Sequence, residues 1–307
     1  MNFLTKKTCE LPPAGNLTVE EVTFDFTTSQ FAVKEVLFSG RSEFQSVAVL
    51  DTYHYGKMLM NDNMVMITEK DEFCYHEMIA HAPIFTHPNI RKVLIIGGGD
   101  GGTAREVLRH KSVERCVMVE IDAMVIEACK KHIPQTAAVL SQDPRLDLKI
   151  EDGVKFVKET NERFDLVLVD STDPVGPATP LFNLDFYKDV SNLLEEDGLV
   201  VSQGESPFFF SDAQRSLVKI FSQVFPLRGI YNFSNLTYPG GLWSFCMGSK
   251  KYHPLNNYNS DRVKNSNFNF QYYNPYVHRG AFALLEMQIK PIYQLVNINN
   301  QSLSVYE

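Results

Sequence analysis

From residue 93 onward five apolar runs recur, VLIIGGG, RCVMVEID, LDLKIEDG, FDLVLVDS and GLVVSQG, each separated from the next by a stretch with helical patterning. Uninterrupted Val, Ile and Leu runs alternating with helices predict strands buried on both faces, hence a parallel sheet covered by helices on each side. The later segments RGIYNFSNLTYPGG and LWSFCMGSK read as an antiparallel addition to the edge of that sheet.

Residues 20–70 have a different pattern, with short alternating segments such as FAVKEVLFSG and FQSVAVLDTY, then a hairpin turn at Asn61-Asp62-Asn63. A small antiparallel β domain is expected there. A helical stretch follows at about 70–82, with a break at Pro83. Residues 254–275 read as a connection before a last helical stretch near AFALLEMQI. The expected division is an N-terminal tail (1–19), a β domain (20–70), a catalytic α/β domain (71–290) and a C-terminal tail (291–307). The chain's 307 residues suffice for one large and one small domain.

A net charge of −8, with no basic stripe, argues against a nucleic-acid partner and for a cationic one. No apolar run approaches the roughly 18 residues of a membrane span, and the N-terminus lacks a secretory pattern. Cys9, Cys74, Cys116, Cys129 and Cys246 are odd in number, scattered and without a C-x-x-C pair, so a reduced, cytoplasmic protein is expected.

The five parallel runs end in Asp100, Glu120, Asp152, Asp170, and Gln203 with Glu205. A lone Asp after a strand is ordinarily a helix cap. Five successive polar strand ends instead predict carboxylates converging on the ligand crevice at the carboxyl edge of the sheet. Gly97-Gly98-Gly99-Asp100-Gly101-Gly102 satisfies G-x-G-x-x-G, and Glu120, 23 residues past Gly97, is placed for a ribose diol. Asp100 is the wrong charge for a loop cradling a pyrophosphate. The expected ligand is therefore a nucleoside without phosphates and with a cationic far end, as in S-adenosyl sulfonium compounds.

The fourth strand runs into Asp170-Ser171-Thr172-Asp173-Pro174, two carboxylates three residues apart. An alkyl ammonium, with a pKa near about 10.4, must lose a proton before it can act as a nucleophile. Asp170 is the candidate base and Asp173 the orienting anion; the plain alternative for Asp173 is a turn before Pro174. His76-Glu77-Met78-Ile79-Ala80-His81 resembles H-E-x-x-H, but histidines five apart sit about 140° apart around a helix and cannot share one metal. Phe208-Phe209-Phe210 reads as packing or a loop anchor.

Together VLIIGGGDGG, VEID, EDG, DSTDPVGPA, QGES, LTYPGG and YYNPYVHRGAF resemble the spermidine synthase (polyamine aminopropyltransferase) family, as do TEKDEFCYHEMIAH and SGRSEFQSVAVL. The resemblance covers about residues 20–290. It implies a class I methyltransferase-like Rossmann domain with a mostly parallel seven-stranded sheet behind the β domain, assembled as a homodimer or homotetramer. It implies transfer of the aminopropyl group from decarboxylated S-adenosylmethionine to putrescine, giving spermidine and 5′-methylthioadenosine, with no metal and no cofactor beyond the co-substrate. Gln45, Gly97, Gly99, Asp100, Glu120, Asp152, Gly153 and Asp170 would hold the nucleoside and its aminopropyl arm. Tyr75, His76, Asp170, Asp173, Gln203 and Tyr238 would surround the acceptor amine, with Tyr75 and Asp170 at the reacting nitrogen.

The chain departs from the family at Asn61-Asp62-Asn63, where relatives often have Leu-Asp-Gly, and at Met66, where many have Gln. Asn63 tolerates the left-handed turn almost as Gly does. Met66 removes a polar group near the acceptor entrance and opens the question of acceptor preference, with cadaverine and agmatine as alternatives to putrescine. An amine N-methyltransferase using intact S-adenosylmethionine is the rival on the same fold. An NAD-binding oxidoreductase and a catalytically silent nucleoside-binding scaffold are more distant rivals, disfavoured by Asp100 and by the Asp170, Asp173 and Tyr75 set respectively.

Overall fold

The computed structural model describes residues 17–22, 27–172 and 176–299. The alternating segments form β1 (Leu17–Val22), β2 (Thr28–Arg41), β3 (Ser46–Thr52), β4 (Lys57–Asn61) and β5 (Met64–Thr68), an antiparallel meander in sequential order. The β4–β5 turn places Asp62 and Asn63 at φ 47° and 64°. Short polar side chains tolerate this left-handed region, so the hairpin forms without glycine. Along β3 the period of two sends Val47 and Val49 into the main core and Leu50 into a satellite cluster with Met58 and Met60 on the other face.

Helix α1 (Glu72–Thr86) crosses from this sheet into the core with every residue but Phe73 buried. It runs through Pro83, where a break was expected. An internal proline costs about 3 kcal/mol. The burial of Ile84 and Phe85, at about 1.5–3 kcal/mol each, offsets that cost. The Arg262 guanidinium also closes the helix end by donating to Ile84 O (3.3 Å), Phe85 O (3.4 Å) and His87 O (2.5 Å).

The second sheet contains β6 (Lys92–Gly97), β7 (Arg115–Glu120), β8 (Leu146–Ile150), β9 (Phe164–Asp170), β10 (Leu194–Gln203), β11 (Leu227–Ser234) and β12 (Leu242–Ser249), in the order β11-β12-β10-β9-β6-β7-β8. The five expected strands are parallel and the last two antiparallel. Helices α2 (Gly102–Leu108), α3 (Ala123–His132), α4 (Pro134–Ala137), α5 (Val139–Gln142), α6 (Gly153–Glu159), α7 (Leu184–Leu193) and α8 (Ser211–Val224) follow the strands. Val93 and Ile95 face one core, Leu94 and Ile96 the other, which is why the strand reads as a continuous apolar run. Chain order reverses between β6 and β9, so the crevice opens beyond their carboxyl ends.

Beyond β12 lie α9 (Ser260–Asn265), α10 (Pro275–Ala281) and α11 (Glu286–Ile289). The single helical stretch expected near AFALLEMQI is instead two short helices. The first begins earlier because Asn274 caps it, accepting from Tyr276 N and Val277 N, with Pro275 at the first position. Residues 291–299, assigned to the C-terminal tail, reach the outer edge of β11, where Asn299 pairs with both Ile230 N and Ile230 O. Cys74, Cys116, Cys129 and Cys246 are free thiols buried in the core; Cys9 lies outside the described residues.

Candidate active site

A cavity of about 440 Å³ opens at the switch point, between the carboxyl edge of the large sheet and the β4–β5 hairpin of the small one. At its centre is Asp170, the last residue of β9. The register pairs Asp170 with Gly97, and Gly98 N donates to Asp170 O at 2.9 Å. A Cβ on Gly97 would fall 2.1 Å from that carbonyl, so only glycine lets the two strand ends meet.

The Asp170 carboxylate accepts from Tyr75 Oη on Oδ1 (2.7 Å) and from Thr103 Oγ1 on Oδ2 (2.6 Å). Burial pushes the Asp170 carboxyl upward and the Asp100 charge pushes it further, while His76, Thr103 and Tyr75 pull it back. Burial, then the Asp170 charge, raise the Tyr75 phenol well above its ordinary value, so Tyr75 stays a donor. Thr103 was not singled out in the sequence; its signal is the first turn of the helix following the glycine loop.

Asp100 Oδ1 accepts from Gly102 N (2.8 Å) and lies 3.2 Å from His76 Nε2. His76 Nδ1 contacts Glu72 Oε2 at 2.5 Å, and Arg105 grips Glu72 with two bonds of 2.8 Å. Burial opposes the charge on His76, yet Asp100 and Glu72 together raise it to about 10. With both ring nitrogens donating, the imidazolium has no lone pair for a metal. The grouping of His76, Asp100 and Asp170 atoms within 4.8 Å therefore offers a metal ion two carboxylates but no imidazole lone pair. Glu72 and Arg105 were missed, although Glu72 stands four residues before His76, one helical turn away.

On the glycine-loop side of the cavity, Glu120 accepts from Gly99 N (3.1 Å) and Asp122 N (2.9 Å). Burial dominates over these bonds and raises its carboxyl to about 7. Asp152 caps α6 through Oδ1, accepting from Val154 N and Lys155 N, and lines the cavity beside Gly153. Asp152 therefore combines the helix-cap role with a place in the cavity wall. Gln45 is oriented by Asp122, to which its Nε2 donates at 3.0 Å.

The other half of the cavity is aromatic. Tyr75 stands edge-on to Phe245 (4.9 Å), Phe233 (5.7 Å) and Tyr238 (6.2 Å), and Tyr238 to Trp243 (5.0 Å). Tyr238 donates to Met66 O at 2.6 Å, tying this wall to β5. Gln203 lines the cavity with its amide committed inward: Oε1 accepts from Trp243 Nε1 (3.1 Å) and Glu205 N (2.9 Å), and Nε2 donates to Glu205 Oε1 (2.6 Å). Glu205, expected to join the convergent carboxylates, is turned behind Gln203, away from the cavity lining. Four carboxylates converge rather than five. Of the Phe208–Phe210 run, read as packing, Phe210 lines the cavity against Trp243. Asp173 lies outside the described residues. His81 points elsewhere, to Glu106 and His110, so the two histidines are apart as their spacing requires.

Residues 72–260 match the spermine/spermidine synthase domain, and residues 19–69 the spermidine synthase tetramerisation domain. The chain belongs to the spermine/spermidine synthase family. Among the members of the family, the polyamine aminopropyltransferase of Caldicellulosiruptor saccharolyticus is 48% identical over 252 residues, covering 82% of this chain and 89% of that protein. That of Clostridium kluyveri is 42% identical over 269 residues, covering 88% and 96%. A crystal structure of a spermidine synthase in complex with the transition-state analogue AdoDATO matches with TM-score 0.89 and 38% identity over 93% of this chain and 98% of that one. The spermidine synthase of Thermotoga maritima matches with TM-score 0.86 and 37% identity over 92% and 96%. This member of the family is an enzyme of the polyamine aminopropyltransferase class. Among the described residues no helix is long and apolar enough to cross a membrane.

Proposed function

We propose that the protein transfers the aminopropyl group of decarboxylated S-adenosylmethionine to putrescine, giving spermidine and 5′-methylthioadenosine. The observation that carries this reading is the position of Asp170, where the carboxylate-lined and aromatic-lined halves of one cavity meet. Glu120 accepts from the ribose hydroxyls, with Gln45, Gly97, Gly99, Asp152 and Gly153 around the nucleoside. Asp100 and Asp170 take the ammonium of the propyl arm. The acceptor diamine lies along Tyr75, Tyr238 and Trp243, whose ring faces favour a cation. Asp173 and Gln203 belong to this half of the reading.

In the reaction Asp170 accepts a proton from the near amine of putrescine. The freed lone pair attacks the propyl carbon next to sulfur, a new C–N bond forms, and the C–S bond electrons return to sulfur, leaving a neutral thioether. Holding the partners in line supplies up to about 7–11 kcal/mol of the barrier, and the base about 10²–10⁴ in rate. The raised pKa of Asp170 suits a base; Tyr75, a fixed donor, orients its carboxylate. The enzyme takes no cofactor beyond the co-substrate, resides in the cytoplasm, and assembles as a homodimer or homotetramer through the residue 19–69 domain.

Mass spectrometry after incubation with decarboxylated S-adenosylmethionine and equal amounts of putrescine, cadaverine and agmatine tests the reading. Spermidine and methylthioadenosine as main products are expected. Predominant transfer to another amine overturns the acceptor, and formation of S-adenosylhomocysteine from intact S-adenosylmethionine overturns the reaction.

A further inference from the structure

His76 is wedged among carboxylates. On its own helix Glu72 takes Nδ1, and from the loop after β6 Asp100 takes Nε2. Tyr75 stands edge-on at 5.6 Å, Asp170 reaches the same cluster from β9, and Arg105 on α2 pairs with Glu72 from behind. The imidazole is 1% exposed and lies against the bare Cα of Gly102, where a Cβ would fall 2.1 Å from Cε1. The ring is thus immobilised between two carboxylates, which favour its charged form.

We propose that His76 is the resident cation of the amine subsite, and that the ammonium of the nucleoside's propyl arm, arriving between Asp100 and Asp170, takes its place by driving the His76 proton into solvent. This rests on the co-substrate proposed above. Two cations about 4–5 Å apart at an effective dielectric near 20 lower each other's proton affinity by roughly several hundredfold. Starting from a titration at about 10, that carries His76 from mostly charged to mostly neutral at about pH 9. The proton leaves Nε2, while Nδ1–H stays on Glu72. The exposed Nε2 lone pair then accepts from the ammonium, so a competitor becomes a ligand. A nucleoside with no chain amine leaves the proton in place, and one whose chain ends in a carboxylate retains it as a partner. His76 in this way matches its own charge to that of the chain end, which admits the ammonium while narrowing the discrimination against a carboxylate.

Calorimetry of the full-length enzyme at about pH 9, in two buffers of different ionisation enthalpy, counts the protons released. At this pH Glu120 is already ionised. Decarboxylated S-adenosylmethionine should release about half to one proton more than methylthioadenosine, and His76→Gln should abolish the difference. In the wild-type protein the His76 ¹⁵N resonances should change from imidazolium to neutral imidazole on binding, which requires no variant. Equal release with both nucleosides, release that persists in His76→Gln, or an unchanged imidazolium signature overturns the inference. Tight binding without release overturns it alone; no binding by the decarboxylated nucleoside overturns it together with the co-substrate.

Discussion

The Tyr75 hydroxyl donates to Asp170 Oδ1 at 2.7 Å across 95 residues of sequence, joining the helix that leaves the small sheet to the end of the central strand of the large one. Thr103 holds the other oxygen of the same carboxylate. The carboxylate proposed as the base is therefore aimed by two neutral donors, which fix its direction without consuming its charge.

Asp170→Asn keeps the shape and removes the base. It should lower kcat by about 10²–10⁴ while methylthioadenosine binding changes little, measured by steady-state kinetics and titration calorimetry. Near-normal turnover would remove Asp170 from the role of base.

Tyr75→Phe retains the ring packing against Phe233 and Phe245 and deletes only the donor. Loss of a hydrogen bond to a charged group, about 1.5–3 kcal/mol, corresponds to a drop of roughly 10- to 150-fold in kcat/KM. A change within twofold would show that Thr103 alone orients the carboxylate.

Nucleoside affinity should depend on pH through Glu120. Its carboxyl is raised to about 7, so below that pH it is protonated and offers the ribose fewer acceptors. The Kd for methylthioadenosine should therefore fall as pH rises from about 6 to 8 and level off above, and Glu120→Gln should flatten the profile. An unchanged wild-type Kd across that range would contradict the assignment.

Discrimination against intact S-adenosylmethionine follows from the same cluster. Asp100 and Asp170 repel its carboxylate, but the imidazolium of His76 against Asp100 offsets part of that repulsion. Wild type should prefer the decarboxylated nucleoside by at least about tenfold, and His76→Gln should widen the gap by uncovering Asp100. Titration of both nucleosides against both proteins decides it; a narrower gap in the variant would refute the argument.

Arg262→Ala should destabilise the fold by about 1–3 kcal/mol in urea denaturation, because the carbonyls of Ile84, Phe85 and His87 lose their donor at a buried helix end. Unaltered stability would mean that water closes the helix equally well.

The features legible in the sequence were those with local causes. Two-sided burial writes the parallel strands as continuous apolar runs, and strand ends fix where Asp100, Glu120, Asp152 and Asp170 emerge. Pro83 misleads because a local rule is overridden by Arg262, 179 residues away in sequence from Pro83 and brought there only by folding. Thr103 and Arg105 escape notice for the same reason: their partners, Asp170 and Glu72, belong to other elements. Glu205 was misplaced because the chain turns at a φ of 67° just past β10, carrying its carboxylate behind Gln203.

The cavity takes its walls from two sheets; on the proposed reading the nucleoside half is built mainly from the large one and the amine half is closed by Met66 and its neighbours on the small hairpin. Evolution can thus vary the two substrates independently. If the proposed reading holds, changes in the β4–β5 hairpin should retune the choice of amine while the strand edges that carry Asp100, Glu120 and Asp170 stay as they are, which makes the hairpin the natural place to engineer enzymes for unusual polyamines.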